Sequence, residues 1–287
     1  MLRAYKINIK KGHKLYNYFD EICLKSKNLY NTTNFFIRQA LTGSVKDEKD
    51  LTPNEKYVLD LINNNINKAN QIKIEQSSKK SEEVKLFKRI DKDNRLLNYT
   101  LLDAIFKITK NEDYYALPSH SNQGIMKQAF DDWSGFFASM KSFKTGSSKH
   151  TGMPKIPNYA KKNSRKIAFF TNQTCVIKDN KYLKFPKTKH KLNIGKLGIL
   201  GKLKQVRVKP YKNYFEVEVV LDTPFENQKL KTTKPTKIMG IDLGIDNFAT
   251  ISNNIDKPPI IVKGKVLKSI NQFYNKEKAH YYSILRQ

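Results

Sequence analysis

The sequence predicts an α+β protein of several parts: a first strand, a helical block, a basic strand-rich block, and a closing strand–turn–strand–helix segment. Three observations carry this. The hydrophobic period changes from two to about 3.6 near His13. A stretch rich in Gly, Ser and Pro, residues 146–157, separates helical patterning from strand patterning. Charge is also segregated along the chain. Of 287 residues, 54 are Lys or Arg and 26 are Asp or Glu, a formal net charge of +28. Residues 141–210 hold 19 basic residues and one acidic residue, Asp179, a local excess of +18; residues 1–140 and 211–287 carry only +6 and +4. Such crowding costs self-repulsion, which a bound polyanion relieves while releasing counterions. A compositionally biased, solvated surface is the plainer alternative, but bias alone does not strip one segment of its carboxylates. No run reaches the 18 apolar residues of a membrane span, and lysines occupy the N-terminus where a signal peptide needs its apolar region. Cys23 and Cys175 can form neither a disulfide scaffold nor a CxxC zinc site. What remains is a soluble intracellular protein with no membrane partner, whose charge points to a polyanionic one.

Each element follows from local pattern. Tyr5, Ile7 and Ile9 alternate with Lys6, Asn8 and Lys10, as in a half-buried strand. From about His13, Leu15, Phe19, Ile22, Leu29, Phe36 and Ala40 fall at helical spacing, with Ser26 and Thr33 filling the stripe and Gly43 as a stop. Further helices are expected near 53–76 and 95–110, separated by the charged stretch 79–92. A Ser within 117–121 reads as the cap of another helix, whose stripe Met126, Phe130, Trp133, Phe137 and Met140 runs to about Lys144. Trp133 reads as core, with base stacking as the alternative. Strands are expected at 166–171, 173–178 and 181–185, with a turn at Asp179–Asn180 and a hairpin pairing 205–209 with 214–222. Phe215, Val217, Val219 and Leu221 face one way there, and Glu216 and Glu218 the other. Short Lys-rich strands suggest a small barrel or curled sheet with one face toward nucleic acid. Residues 223–235 read as a polar linker, 237–243 and 248–252 as strands, 260–263 as a third, and 267–287 as a helix with Leu267, Ile270, Tyr274 and Tyr281 near one face.

Few residues carry recognisable chemistry. Asp242 lies in the apolar strand Ile241-Asp242-Leu243 and is followed by Gly244, so a divalent cation is one good compensation for its charge; a structural turn is the other. Asp246 is expected to cap that turn. Gly195-x-x-Gly198-x-x-Gly201-Lys202 has five residues between the first and last Gly where a phosphate loop needs four, and Leu203 replaces the required hydroxyl, so it reads as a basic turn. The five His are scattered without zinc-binding spacing. Lys161, Lys162, Arg165 and Lys166, leading into the strands, are candidate phosphate contacts; a solvated turn is the alternative.

The order of these features resembles the TnpB (OrfB-type) proteins of insertion sequences, relatives of type V CRISPR effectors. The likeness is carried by SKNLYNTTNFFIRQ (26–39), ALPSHSNQGIMKQAFDDWSGFFASMKSFK (116–144), GMPKIPNY (152–159), and above all GIDLGIDNFATIS (240–252) followed by GKVLKSINQFYNKEKA (264–279). It implies a wedge-type, oligonucleotide-binding-like β-barrel using residues 1–11 and 146–225. A helical recognition domain, 12–145, would be inserted in it; a linker, 226–235, would lead to an incomplete RNase H-like (RuvC) domain, 236–287. It further implies a guide RNA from the transposon end and target double-stranded DNA as partners, and a Mg²⁺-dependent nuclease with Asp242 as the first catalytic, metal-ligating carboxylate.

The departure from the family pattern is equally definite. Two metal ions need carboxylates from three motifs, and the second (Glu), the third (Asp) and a zinc-ribbon CxxC pair are not in this chain. The chain also ends on Gln287 inside a helical pattern without a Gly or Asn cap, which reads as truncation. The expectation is therefore a truncated family member that keeps nucleic-acid binding without cutting, either a decaying transposon copy or a piece whose remainder is a separate chain. The alternatives are a nuclease-dead RNA-guided regulator and a general RNA-binding protein.

Overall fold

A computed structural model describes residues 1–77, 85–146, 152–224, 237–244 and 246–285. It divides into two units, 1–225 and 226–287. The expected linker, 226–235, lies outside the described residues, as does part of the charged stretch 79–92.

In the first unit the change of period near His13 is the joint between strand β1 (Leu2–Lys10) and helix α1 (Tyr16–Gly43). Every residue of the expected α1 stripe, Ser26 and Thr33 included, is buried. Gly43 ends α1 as expected but for a different reason. Its φ is not left-handed; a Cβ there would lie 3.0 Å from Glu55 Cβ and Leu59 Cδ1, so the glycine admits the next helix.

That helix, α2 (Pro53–Ser77), is followed by α3 (Tyr99–Ile108), the short α4 (Glu112–Ala116) and α5 (Ser121–Lys144). Asn98 and Asn111 cap α3 and α4 by accepting from Leu101 N and Tyr114 N. The Ser cap expected for α5 does not form. Left-handed His120 takes the N-cap position, and Pro118 O accepts the amides of Ser121 and Asn122, so no hydroxyl is needed. Trp133 is core: it is buried, and its Nε1 donates to Asn34 Oδ1 at 2.8 Å. Phe36 packs edge-on against Phe106 at 5.0 Å, tying α1 to α3.

The strands beyond form antiparallel sheets: β2 (Ala168–Thr171), β3 (Val176–Lys178), β4 (Tyr182–Lys184), β5 (Lys191–Asn193), β6 (Lys202–Pro210) and β7 (Tyr214–Asp222). One sheet has the order β1-β7-β6-β2 and another β3-β4-β5, so these strands do not hydrogen-bond into a single closed ring. Asp179 and Asn180 make the expected turn, both with positive φ. The Gly195–Ile199 stretch is a 3-10 turn; a Cβ on Gly198 would lie 2.0 Å from Asn180 O, so this glycine serves close backbone packing. Phe19 of α1 lies between the sheets, 5.1 Å from Phe185 and 6.2 Å from Phe215 by ring centroids. Cys23 donates to Val208 O, and burial pushes both thiols up, so they are inert.

The second unit is a meander, β8 (Met239–Leu243), β9 (Asn247–Asn253) and β10 (Ile260–Lys263), followed by α6 (Lys265–Ile284). Leu267, Ile270, Tyr274 and Tyr281, expected near one face of a helix, all lie on α6, and each is more than half exposed. Three short strands and one helix offer too little area to cover them.

Candidate nucleic-acid interface

The segment that carries the candidate phosphate contacts runs along α1 and is tied to it by side chains. Asn34 Nδ2 and Arg38 Nη2 donate to Pro157 O at 3.2 and 2.7 Å, and the Arg38 guanidinium lies 4.5 Å from the Tyr159 ring centroid. Asn31 donates to Ala160 O at 2.9 Å and accepts from Ala160 N at 2.8 Å. Buried Lys27 donates to Lys162 O at 3.1 Å, and Lys166 N donates to Cys23 O at 3.1 Å. Asp20 accepts two bonds from Arg165, at 2.9 and 2.8 Å.

The order 38, 34, 31, 27, 23, 20 against 157 to 166 shows the segment running antiparallel to the helix. It is a polar stripe at helical spacing, beside the apolar one. The signal was present in the sequence as Asn31, Asn34 and Arg38, but nothing local says what such residues will bind. An asparagine serving both groups of a distant backbone residue is used twice more among the described residues of this unit. Asn63 pairs with Ile90, and Asn70 with Phe87, in the same two-bond fashion. Extended segments without a strand neighbour thereby satisfy their amides. Replacing Asn31 by Ala should cost about 1–3 kcal/mol and speed hydrogen exchange at the Ala160 amide; unchanged exchange there would remove Asn31 from this role.

The four candidate contacts accordingly separate. Lys161 and Lys162 are exposed, with their backbone carbonyls engaged and their side chains directed to solvent. Arg165 is already paired bidentately with Asp20, which holds its guanidinium above the usual range. Lys166 lies over the Tyr30 ring, 3.2 Å from its centroid, where burial lowers its ammonium despite the nearby Asp132. Tyr30 donates to Asp132 at 2.6 Å. Lys161 and Lys162 are thus the pair free to meet a phosphate; Arg165 and Lys166 hold the strand entrance.

The outer face of the β1-β7-β6 sheet carries Glu216 and Glu218, as alternation predicts, and pairs them with its cations. Glu218 on β7 is only 3% exposed. It accepts from Lys209 at 2.5 Å, with Arg207 at 3.0 Å and Lys6 at 3.9 Å. Burial alone would raise its carboxyl, but these three cations hold it below the usual range. Glu216 lies 3.4 Å from Lys6 as well. Here the cations are spent on carboxylates of the same sheet.

Asp242 is on β8, opposite Thr250, and exposed. Asp246 pairs with Lys268 at 2.7 Å, and its carbonyl accepts from Gly264 N at 2.9 Å, which closes the turn onto the start of α6. Among the described residues no group of three His, Cys, Asp or Glu side chains could hold a metal ion. A cleft of about 540 Å³ beside Gly244 is lined by Phe248, Lys268, Asn271 and Gln272 and, among the described residues, by no carboxylate. With Asp246 committed to Lys268, Asp242 is the one unpaired carboxylate here among the described residues, a donor set that does not fit a two-metal centre. Among the described residues no helix is long and apolar enough to cross a membrane.

No protein-family model matches the chain, and no curated protein matches it. Among solved structures it is similar to a chain of the "Cryo-EM structure of the Cas12f1-sgRNA-target DNA complex", with 12% identity and a TM-score of 0.26. The match covers 99% of this chain and 62% of that one, so the chain spans about three fifths of the protein it matches. So loose a superposition assigns neither a fold nor an activity.

Proposed function

We propose that this protein binds nucleic acid as a TnpB-like, RNA-guided DNA-binding protein without a complete nuclease site. The observation that carries the proposal is the tethered segment 157–166. It presents Lys161 and Lys162 from a backbone fixed along α1, within a stretch of 70 residues holding a single carboxylate. A tethered backbone leaves only the lysine side chains to be ordered on meeting phosphates, and phosphate contacts set register rather than sequence preference. Sequence choice would then fall to a paired guide RNA, with target DNA as the second partner. The two antiparallel sheets of the first unit take the part of the wedge-type domain in this reading, the α1–α5 helices that of the recognition domain, and the second unit that of a partial RuvC-like domain. Mg²⁺ belongs to the family reading; Asp242 alone does not fit it, and no cleavage step is assigned to these residues. The exposed apolar surface of β8–β10 and α6 supports docking of further RuvC-like elements on a separate chain.

The lone Asp242 favours, as a second reading within the same chemistry, a regulator that occupies DNA without cutting it. The test is to purify the chain from its host and sequence the RNA that accompanies it. A discrete species from a transposon end is expected; heterogeneous RNA would favour a general RNA-binding protein instead. For single-stranded RNA, Lys161→Ala with Lys162→Ala should reduce the slope of log affinity against log salt by about 1.4. An unchanged slope would take both residues out of the interface, and Mg²⁺-dependent DNA cleavage by this chain alone would overturn the non-cutting reading.

A further inference from the structure

The three-stranded sheet β3-β4-β5 differs from the larger sheet in how it spends its charge. Its inner row, Ile177, Leu183 and Leu192, is aligned across the strands and packs against the core. The outward rows are Val176–Lys184–Lys191 and Lys178–Tyr182–Asn193. All of these except the half-buried Tyr182 are exposed. Side chains alternate strictly across a sheet, so these six form one surface.

No carboxylate lies in that grid. Asp179, in the adjoining turn, reaches Lys191 only at 3.9 Å, and both groups are exposed, so the pair is weak. Lys184 and Lys191 stand directly opposite each other on neighbouring strands, an arrangement of like charges that destabilises a sheet. The β1-β7-β6 sheet answers the same problem with Glu216 and Glu218; this one leaves it unanswered. At its centre lies an aromatic ring, with the ammonium groups of Lys181 and Lys191 at 5.7 and 5.8 Å from the Tyr182 centroid.

We propose that this outer face is a platform for single-stranded nucleic acid, with Tyr182 stacking one base and Lys178, Lys184 and Lys191 meeting the flanking phosphates. A base lies flat on a side-chain ring only when unstacked from its neighbours, which a duplex does not offer. Lysines act here as point charges that follow a flexible backbone, without the bidentate geometry that arginine would impose. A phosphate between Lys184 and Lys191 removes their repulsion and releases Lys191 from Asp179. The platform rests on the nucleic-acid reading above and adds to it the state of the ligand and the site.

The test uses the full chain with fluorescein-labelled oligouridine and oligothymidine of about twelve nucleotides, and a duplex of matching length, read by anisotropy. Tyr182→Ala should weaken single-strand binding about 5- to 150-fold at an unchanged salt slope, and Tyr182→Phe should restore it. Lys184→Gln with Lys191→Gln should instead lower the slope by about 1.4. Circular dichroism and thermal melting check each variant. If Tyr182→Ala does not fold, Tyr182→Leu keeps the apolar contact and removes the aromatic face, and the same loss is expected of it. Wild-type affinity in a folded variant lacking the ring overturns the platform and leaves the nucleic-acid reading standing. Equal losses for duplex and single strand overturn the stacking assignment. If the wild-type chain binds none of the probes, both readings fall. The uridine and thymidine arms show whether the ribose hydroxyl is read as well.

Discussion

Replacing Phe19 by Ala should destabilise the first unit by about 3–5 kcal/mol, the cost of truncating a fully buried aromatic with little room to collapse. The effect is large because the ring belongs to two sheets at once. It meets Phe185, which follows β4, nearly edge-on at 79°, and Phe215 of β7 tilted at 59°. Tyr18 reinforces the same joint by donating to Pro186 O at 2.9 Å. Urea unfolding gives the magnitude. Hydrogen exchange gives the mechanism, because amides of β4 and β7 should both lose protection. Faster exchange in one sheet alone would show that Phe19 does not join them.

Glu55 carries the second large effect. It closes a capping box at the start of α2: Glu55 N lies 3.3 Å from Thr52 Oγ1, while the Glu55 carboxylate accepts from Thr52 N and Oγ1, each at 2.9 Å. Lys46 donates to both carboxylate oxygens, at 2.9 and 2.7 Å. Burial by itself would raise this carboxyl, but the bonds from Lys46, Thr42 and Thr52 outweigh it and bring it down to about 2.

A carboxyl whose pKa falls on folding stabilises the native state above its unfolded pKa, about 4.3. That stability is lost as pH falls through the folded value. Glu55→Ala should therefore cost about 3 kcal/mol at neutral pH, and the gap from wild type should close as pH falls from about 4.3 toward about 2. Glu55→Gln keeps an acceptor for the Thr52 amide and should lose roughly half as much. A gap that does not change with pH would show that Glu55 acts by packing rather than by charge.

Much of this architecture was legible in the sequence because its causes are local. The α1 stripe from Leu15 to Ala40 is one face of a helix wherever the helix packs. The β6–β7 hairpin follows from alternation around a polar turn. The depletion of carboxylates between 141 and 210 is a property of composition. The core role of Trp133 could be read from its place on an apolar stripe. The α5 cap departs from its sequence pattern because Pro118 O, a backbone group, accepts the amides that a hydroxyl would otherwise serve.

What the sequence could not show depended on partners far away along the chain. Arg165 and Lys166 look like Lys161 and Lys162 in a string of letters. Only packing set Asp20, 145 positions distant, against Arg165 and put the Tyr30 ring under Lys166, leaving the two lysines free. Alternation told correctly that Glu216 and Glu218 point away from Val217, yet their environment came from Lys6 on β1 and Arg207 and Lys209 on β6. The apolar face of α6 is real as a pattern, but whether it is covered is decided by the area of whatever packs on it. The sequence by itself determined which residues form helices and strands and where positive charge accumulates, since both are sums over near neighbours. The tertiary structure alone decided which cations are neutralised and which stand free, because a charge is cancelled only by a group brought within a few ångströms of it, and the fold chooses that group.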